Sequence, residues 1–362
     1  MWILKRKRLQ IINFSLFFFL SFFAYSTIPP QFSDNENPET FFEKAKVDFL
    51  KGDHNSAYKN LLLSKSLKND EKWRELYFLT LLGLNEPLSA ISFLNESKRL
   101  SQKESFYLES LIKRQSFKQE SPKFSETLKL ILSKDILKKA CALVESENFI
   151  LLLTENSLYK INSQGQIVET TNFLGGKELL LDNDNNVVIL TNDSLIIKGK
   201  RIVLPLQIKS AISFSMAPEE NFYILDNNSK LFLINSDGAI LQERQFLVKN
   251  CKKIRTDKLF RVFILSSKKD ILVYSPSFEP LFIIDLKPNL TGLRNINNFF
   301  VDFAGNPLIL DKNGDLFFFN FKQDFLGKCQ KEKIKTDCFF WDGGTTILAL
   351  EKKRGFLRKL EL

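Results

Sequence analysis

The sequence predicts an α+β multidomain chain, with stacked α-helices at the N-terminal end followed by an all-β six-bladed propeller. Three observations predict it. A phrase of apolar run, polar turn and second apolar run recurs six times between Leu152 and Leu360. Its copies start about 35 to 45 residues apart, which is the spacing of propeller blades. Upstream, from Phe41, the apolar residues switch to helical spacing.

The six copies read LLTENSLYKIN (Leu152–Asn162), ILTNDSLIIKG (Ile189–Gly199), ILDNNSKLFLIN (Ile224–Asn235), ILSSKKDILVYS (Ile264–Ser275), ILDKNGDLFFFN (Ile309–Asn320) and ALEKKRGFLRKL (Ala349–Leu360). The second position is always leucine: Leu153, Leu190, Leu225, Leu265, Leu310 and Leu350. We read these six as the structural mark of the blade. Two short apolar runs around a polar turn make a β-hairpin. Asn313-Gly314 is the best of the turns, because both residues tolerate the positive φ of a tight hairpin. A second turn recurs at Asn162–Gly165 and Asn235–Gly238, each leading into a further strand. A strand also precedes each phrase, at 140–144, 178–181, 211–215, 253–256, 299–303 and 336–340. Four strands per unit and six units make a six-bladed propeller. Continuous runs such as Leu316–Phe319 fit strands buried on both faces.

The stretch VDFAGNPLILDKNGDLFFFN (Val301–Asn320) resembles NHL-type propeller repeats in its Asp302, Gly305-Asn306 and Asp311. That resemblance implies a fold that mostly binds proteins or other ligands, with some enzymes among its members. The last copy ends at Leu360, so the sixth blade needs a strand from elsewhere. Thr127–Leu132 (TLKLIL) has the apolar content to close the ring; the alternative is a last helix of the upstream region.

Between the N-terminus and the propeller the reading is as follows. Residues 1–26 carry Lys5-Arg6-Lys7-Arg8, an apolar run Ile11–Phe23 and Ala24-Tyr25-Ser26, the order of a secretory signal peptide. An uncleaved membrane anchor is the alternative, although the run is shorter than a comfortable span. Residues 27–40 form a polar linker. Residues 41–114 hold helices, 115–125 a hinge and 126–362 the propeller. FLKGDHNSAYKNLLLSKSLKND (Phe49–Asp70) resembles a tetratricopeptide repeat: Gly52 matches the small residue at the helix crossing, Ala57 the packing alanine and Leu61 the large apolar position. A second unit runs from Trp73 to Leu94, and Ser105–Arg114 reads as a further helix. The resemblance implies stacked helix pairs with a groove for a peptide or partner helix.

Composition bounds the function. The 362 residues carry a formal charge of +10, with 44% hydrophobic residues and 36 phenylalanines. Four of the basic residues precede Asp34, the first acidic residue. The rest are dispersed, without the basic helix or aromatic motif of a nucleic-acid binder. Four cysteines, Cys141, Cys251, Cys329 and Cys338, lack CxxC spacing. In an oxidising compartment Cys329 and Cys338 can pair across the connection into the sixth blade. The single histidine, His54, is expected at a surface turn, and its uniqueness leaves no His-based metal centre or Ser-His-Asp set in the propeller. Asp182–Asn186 opens like a calcium loop but has Val187 in place of the bend glycine, so it reads as a polar turn. Asp226 and Asp311 read as turn caps, and Trp341 with Asp342-Gly343-Gly344 as a loop at a binding rim.

No catalytic, metal or cofactor residues are assigned. The expected function is a non-catalytic exported scaffold of a bacterial envelope assembly, periplasmic or anchored in the inner membrane. Its expected partners are proteins held by the helices and the propeller face, not nucleic acid. A propeller enzyme of lactonase or lyase type and a periplasmic ligand-sensing receptor are the alternatives.

Overall fold

The computed structural model describes residues 37–361, apart from 85, 97–99, 101, 117–123, 147, 183, 247, 268–269, 287–295, 312, 320–324 and 330–337. The signal segment, most of the linker and most of the hinge lie outside the described residues.

Five helices come first: α1 (Pro38–Leu50), α2 (His54–Leu63), α3 (Glu71–Gly83), α4 (Pro87–Asn95) and α5 (Gln102–Ser116). Side-chain caps set three of their starts. Asn37, Asp53 and Asp70 accept from the backbone N–H of Glu39, Ser56 and Trp73 at 3.1, 3.0 and 3.0 Å. Such caps are each worth about 1 kcal/mol. Consecutive helices pack side by side, and Ala45, Ala57, Leu61, Ala90 and Leu94 are fully buried between them. The Trp73 indole N–H donates to Ser64 Oγ at 2.9 Å.

Strand β1 (Ser125–Ile131) and the short helix α6 (Lys134–Lys139) lead into the propeller. Blade 1 is β2 (Ala140–Ser146), β3 (Phe149–Thr154), β4 (Ser157–Ile161) and β5 (Ile167–Asn172). Blade 2 is β6 (Glu178–Leu181), β7 (Val187–Leu190), β8 (Ser194–Ile197) and β9 (Lys200–Val203). Blade 3 is β10 (Ala211–Met216), β11 (Phe222–Asp226), β12 (Lys230–Ile234) and β13 (Ile240–Gln245). Blade 4 is β14 (Lys253–Thr256), β15 (Val262–Leu265), β16 (Asp270–Tyr274) and β17 (Pro280–Asp285). Blade 5 is β18 (Ile296–Val301), β19 (Pro307–Asp311), β20 (Leu316–Phe319) and β21 (Phe325–Lys328). Blade 6 joins β22 (Cys338–Trp341), β23 (Thr346–Glu351) and β24 (Phe356–Glu361) to β1, in the order β1-β24-β23-β22.

Six antiparallel four-stranded sheets meet the expectation of six blades. The segment expected to close the ring does so as a strand: Leu128, Lys129 and Leu130 pair with Lys359, Arg358 and Leu357. Leu130 is buried in the core while Ile131 is 84% exposed, the alternation of a half-covered outer strand. A buried ion pair backs the closure: Arg358 donates to Glu351 at 3.0 Å and also contacts Glu126 on β1.

One side-chain device builds many of the turns. A carboxylate or amide oxygen at position i accepts the backbone N–H of i+2 and i+4. Asp226 and Asp311 do this in second-to-third strand turns, Asn162 and Asn235 in third-to-fourth strand turns, and Asp182, Asp302 and Asp342 in first-to-second strand turns. This satisfies amides that the bend would otherwise leave unpaired. Asp182 is thus a turn residue, and Asp193, just after β7, pairs with Arg201 at 2.8 Å.

Two expectations are corrected. Cys329 and Cys338 are not disulfide-bonded; the cysteines are thiols. Cys329 packs in the apolar cluster between blades 5 and 6, whereas Cys338 packs in the one between blades 6 and 1, so the two sulfurs face different cores. His54 is half-buried and not at an open surface turn. Its ring stands edge-on to Phe49 at 5.3 Å and lies where a Cβ on Gly83 would be, at 2.6 Å. Burial, with Arg261 adding to it, pushes the imidazole down to about 4. Gly52 sits in the turn between α1 and α2 at φ 81°, where its lack of Cβ serves the backbone. Gly83 makes a close approach, to the His54 ring.

Candidate functional site: the central channel

The first strand of each blade is the innermost, and these strands contact one another around the ring. Each repeated leucine sits late on the second strand, nearly or wholly buried. Its register fixes which residue of the innermost strand stands beside it. Leu153 pairs with Ala142, Leu190 with Glu178, Leu225 with Ser213, Leu265 with Lys253, Leu310 with Asn298 and Leu350 with Cys338. Directly paired residues project on the same face of a sheet. Six leucines therefore place a ring of six residues at one height around the axis, and these residues differ in chemistry: Ala142, Glu178, Ser213, Lys253, Asn298 and Cys338.

Two chambers lie along the channel. The lower, about 160 Å³, is lined where the innermost strands begin; Lys177, Glu178, Lys252, Lys253 and Arg255 are its charged residues. The upper, about 320 Å³, is lined where those strands end by aromatic residues (Phe260, Phe300, Phe303, Phe340 and Trp341, with Phe106 and Tyr107 of α5) and by charged ones (Asp182, Arg255, Asp257, Lys258, Asp302 and Asp342). Leu180, Arg255, Phe300 and Phe340 line both chambers and so stand between them.

Glu178 is the hub. One carboxylate oxygen accepts from Arg255 Nη1 at 2.7 Å and lies 3.5 Å from Lys253 Nζ. The other accepts from Ser213 Oγ at 2.7 Å and from the Phe214 N–H at 2.9 Å. Burial opposes its charge, but Arg255, Lys253 and the two hydrogen bonds outweigh burial and hold the carboxyl below the usual range. Lys253 shows the converse. Burial and then the neighbouring Arg255 cation push its ammonium down to about 8, against the pull of Glu178. The Arg255 guanidinium lies 4.9 Å from the Phe300 ring, a cation–π placement. Nη1 also donates to the Ile254 carbonyl at 2.8 Å, while Nε is buried with no partner among the described residues.

At the upper mouth Asp182, Asp302 and Asp342 accept turn amides, and Asp257 is held by Arg261. The Arg261 Nε and Nη2 both lie 2.7 Å from Asp257 Oδ2. Arg261 also donates to the Ala304 carbonyl at 2.9 Å, which ties blade 4 to blade 5. The loop carrying Trp341, Asp342, Gly343 and Gly344, expected at an open rim, is covered by α5. A Cβ on Gly344 would meet Phe106 and Ser110 at 2.5 and 2.6 Å.

Sequence reasoning marked the leucines but not the charged residues opposite them. The signal was present: Glu178, Lys253 and Arg255 are ionic positions on short strands that the ring buries. Among the described residues no group of three or more His, Cys, Asp or Glu side chains is placed to hold a metal.

No family model and no curated protein matches the sequence. Solved structures resemble it in shape. A streptogramin B lyase structure has a TM-score of 0.48 at 11% identity, covering 66% of this chain and 98% of that one. The Myceliophteria thermophila Cps50 (Swd1) β-propeller domain has a TM-score of 0.48 at 11% identity, covering 62% and 83%. The Neurospora crassa Pan2 WD40 domain has a TM-score of 0.47 at 7% identity, covering 67% and 96%. These likenesses concern fold. They assign neither activity nor partner.

Proposed function

We propose that the chain is a non-catalytic scaffold, delivered outside the cytoplasm, that holds protein partners in an envelope assembly. The observation that carries this reading is one apolar core shared by the two parts. Phe78 and Tyr107 of the helices pack with Leu259, Phe303 and Ala304 of the propeller loops. Tyr107 and Phe303 lie 4.5 Å apart, and Phe78 and Tyr107 5.3 Å. Helices and ring form a joined platform, as a scaffold that must fix two partners relative to each other requires. The channel carboxylates Glu178 and Asp257 are committed to arginine partners, which suits a structural role.

The finer kinship follows the same line. Burial of Ala57 and Leu61 between α2 and its neighbours supports tetratricopeptide-like stacking. The Asp302–Asn306 turn of blade 5 supports an NHL-like blade. The basic cluster, apolar run and small residues of 1–26 support export. Among the described residues no helix is long and apolar enough to cross a membrane.

The test is crosslinking in intact cells, then recovery of the full chain from separated fractions. A stoichiometric partner in the envelope fraction is the expected result. Recovery of the protein alone, or from the cytoplasmic fraction, overturns the reading.

A further inference from the structure

Among the described residues that line the channel, two buried polar groups lack a hydrogen-bond partner, the Tyr107 hydroxyl in the upper chamber and the Arg255 Nε–H between the chambers. Arg255 is 7% exposed, yet its Nε–H is buried without an acceptor among the described residues. A buried donor left unpaired costs about 1–3 kcal/mol, so such a group calls for a reason. Glu178 and the Ile254 carbonyl take Nη1 and leave the Nε edge of the guanidinium, one of the edges that grips a carboxylate through two parallel N–H bonds. The charge around the lower chamber points the same way. Lys177, Lys252, Lys253 and Arg255 line it, and Glu178 is the one acidic side chain among its described lining residues. A low-dielectric channel with this excess attracts an anion. Above Arg255, Leu180, Phe300 and Phe340 line both chambers and Met216 and Phe303 the upper one, while the carboxylates of that chamber, Asp182, Asp257, Asp302 and Asp342, are held by turn amides or by Arg261.

We propose that the channel binds a small organic carboxylate, its head on the Nε edge of Arg255 beside Lys253 and its body against Phe300 and Phe340. Arg255 then has two roles. It neutralises Glu178, which ties blade 2 to blade 4, and it recognises the ligand. The ring serine and asparagine, Ser213 and Asn298, keep this height polar without adding charge. The site is separate from the platform reading: the channel can bind a carboxylate whether or not the outer surfaces hold a partner.

The experiment is calorimetric titration of the full-length protein with benzoate, hexanoate and succinate, and with inorganic phosphate and benzamide as counterparts. The expected result is heat from at least one carboxylate at concentrations up to about 10 mM, with benzamide bound about tenfold or more weakly than benzoate. Arg255→Gln should abolish the heat. Because that change strands Glu178, a second variant guards against misfolding: Glu178→Gln keeps Arg255, removes the negative charge that competes with a bound carboxylate and should strengthen carboxylate binding several-fold, with far-UV circular dichroism unchanged. Absence of heat with every carboxylate, binding of phosphate alone, equal binding of benzamide, or weaker binding by a folded Glu178→Gln protein overturns the proposal.

Discussion

At His54 one ring carries a pH dependence for the fold. The imidazole is held neutral because burial, and Arg261 beyond it, oppose its charge. Its folded value of about 4 lies below the ordinary 6.5, so between these two the unfolded chain binds the extra proton. Stability is therefore full above pH 6.5 and falls as pH drops towards 4. His54→Phe keeps a ring in place and removes the titration; melting temperature against pH should then be flatter across that window. An unchanged acid slope would place the loss elsewhere. Gly305 is a second informative position. Its φ is 86°, and a Cβ there would meet Arg261 and Asp257. Gly355 has a φ of 84° but open space around it. Gly305→Ala should cost more than Gly355→Ala by about 1 kcal/mol or more in denaturant titration, since both carry the backbone strain and only the first adds a collision.

The strand is the scale on which the repeated leucine acts. Leu310 sits on β19, fully buried between its neighbours. Leu310→Ala should destabilise by about 2–5 kcal/mol, whereas Leu206→Ser, at a position 95% exposed, should stay within about 0.5 kcal/mol. Strand β1 permits a sharper comparison, because adjacent residues differ in burial. Leu130→Asp should lower the melting temperature strongly and Ile131→Asp hardly at all. Equal effects would mean that β1 does not close the ring in solution. Closure joins segments more than 200 residues apart, Ser125 Oγ to the Glu361 carbonyl for instance. The entropy of closing such a loop grows only with the logarithm of its length, so a few buried leucines and the Arg358–Glu351 pair can offset it.

For the whole molecule, the shared core of helices and propeller predicts joint unfolding. Helical circular dichroism and tryptophan fluorescence should report coincident thermal transitions, because Trp73 lies among the helices and Trp341 beneath α5. Phe303→Ala, which empties the centre of the joint, should pull the two transitions apart or lower both together. Two separate transitions in the unaltered protein would show the parts to be independent.

The sequence by itself determined the number of blades, the hairpins within them and the helical character of what precedes them. Those features are local: alternation, turn residues and tandem repetition leave their mark within a dozen neighbouring positions. The segment that closes the ring was legible as apolar, but strand against helix was not, because six apolar-rich residues fit either and only the bare edge of β24 decides. Tertiary structure alone decided the rest. It seated His54 against Gly83 and turned Cys329 and Cys338 into different cores. It laid α5 over the Trp341 loop and brought Glu178, Lys253 and Arg255 from two blades to one point on the axis. Each of these depends on which residues become neighbours across long stretches of chain, and a periodic pattern carries no information about what lies opposite it once the ring is closed.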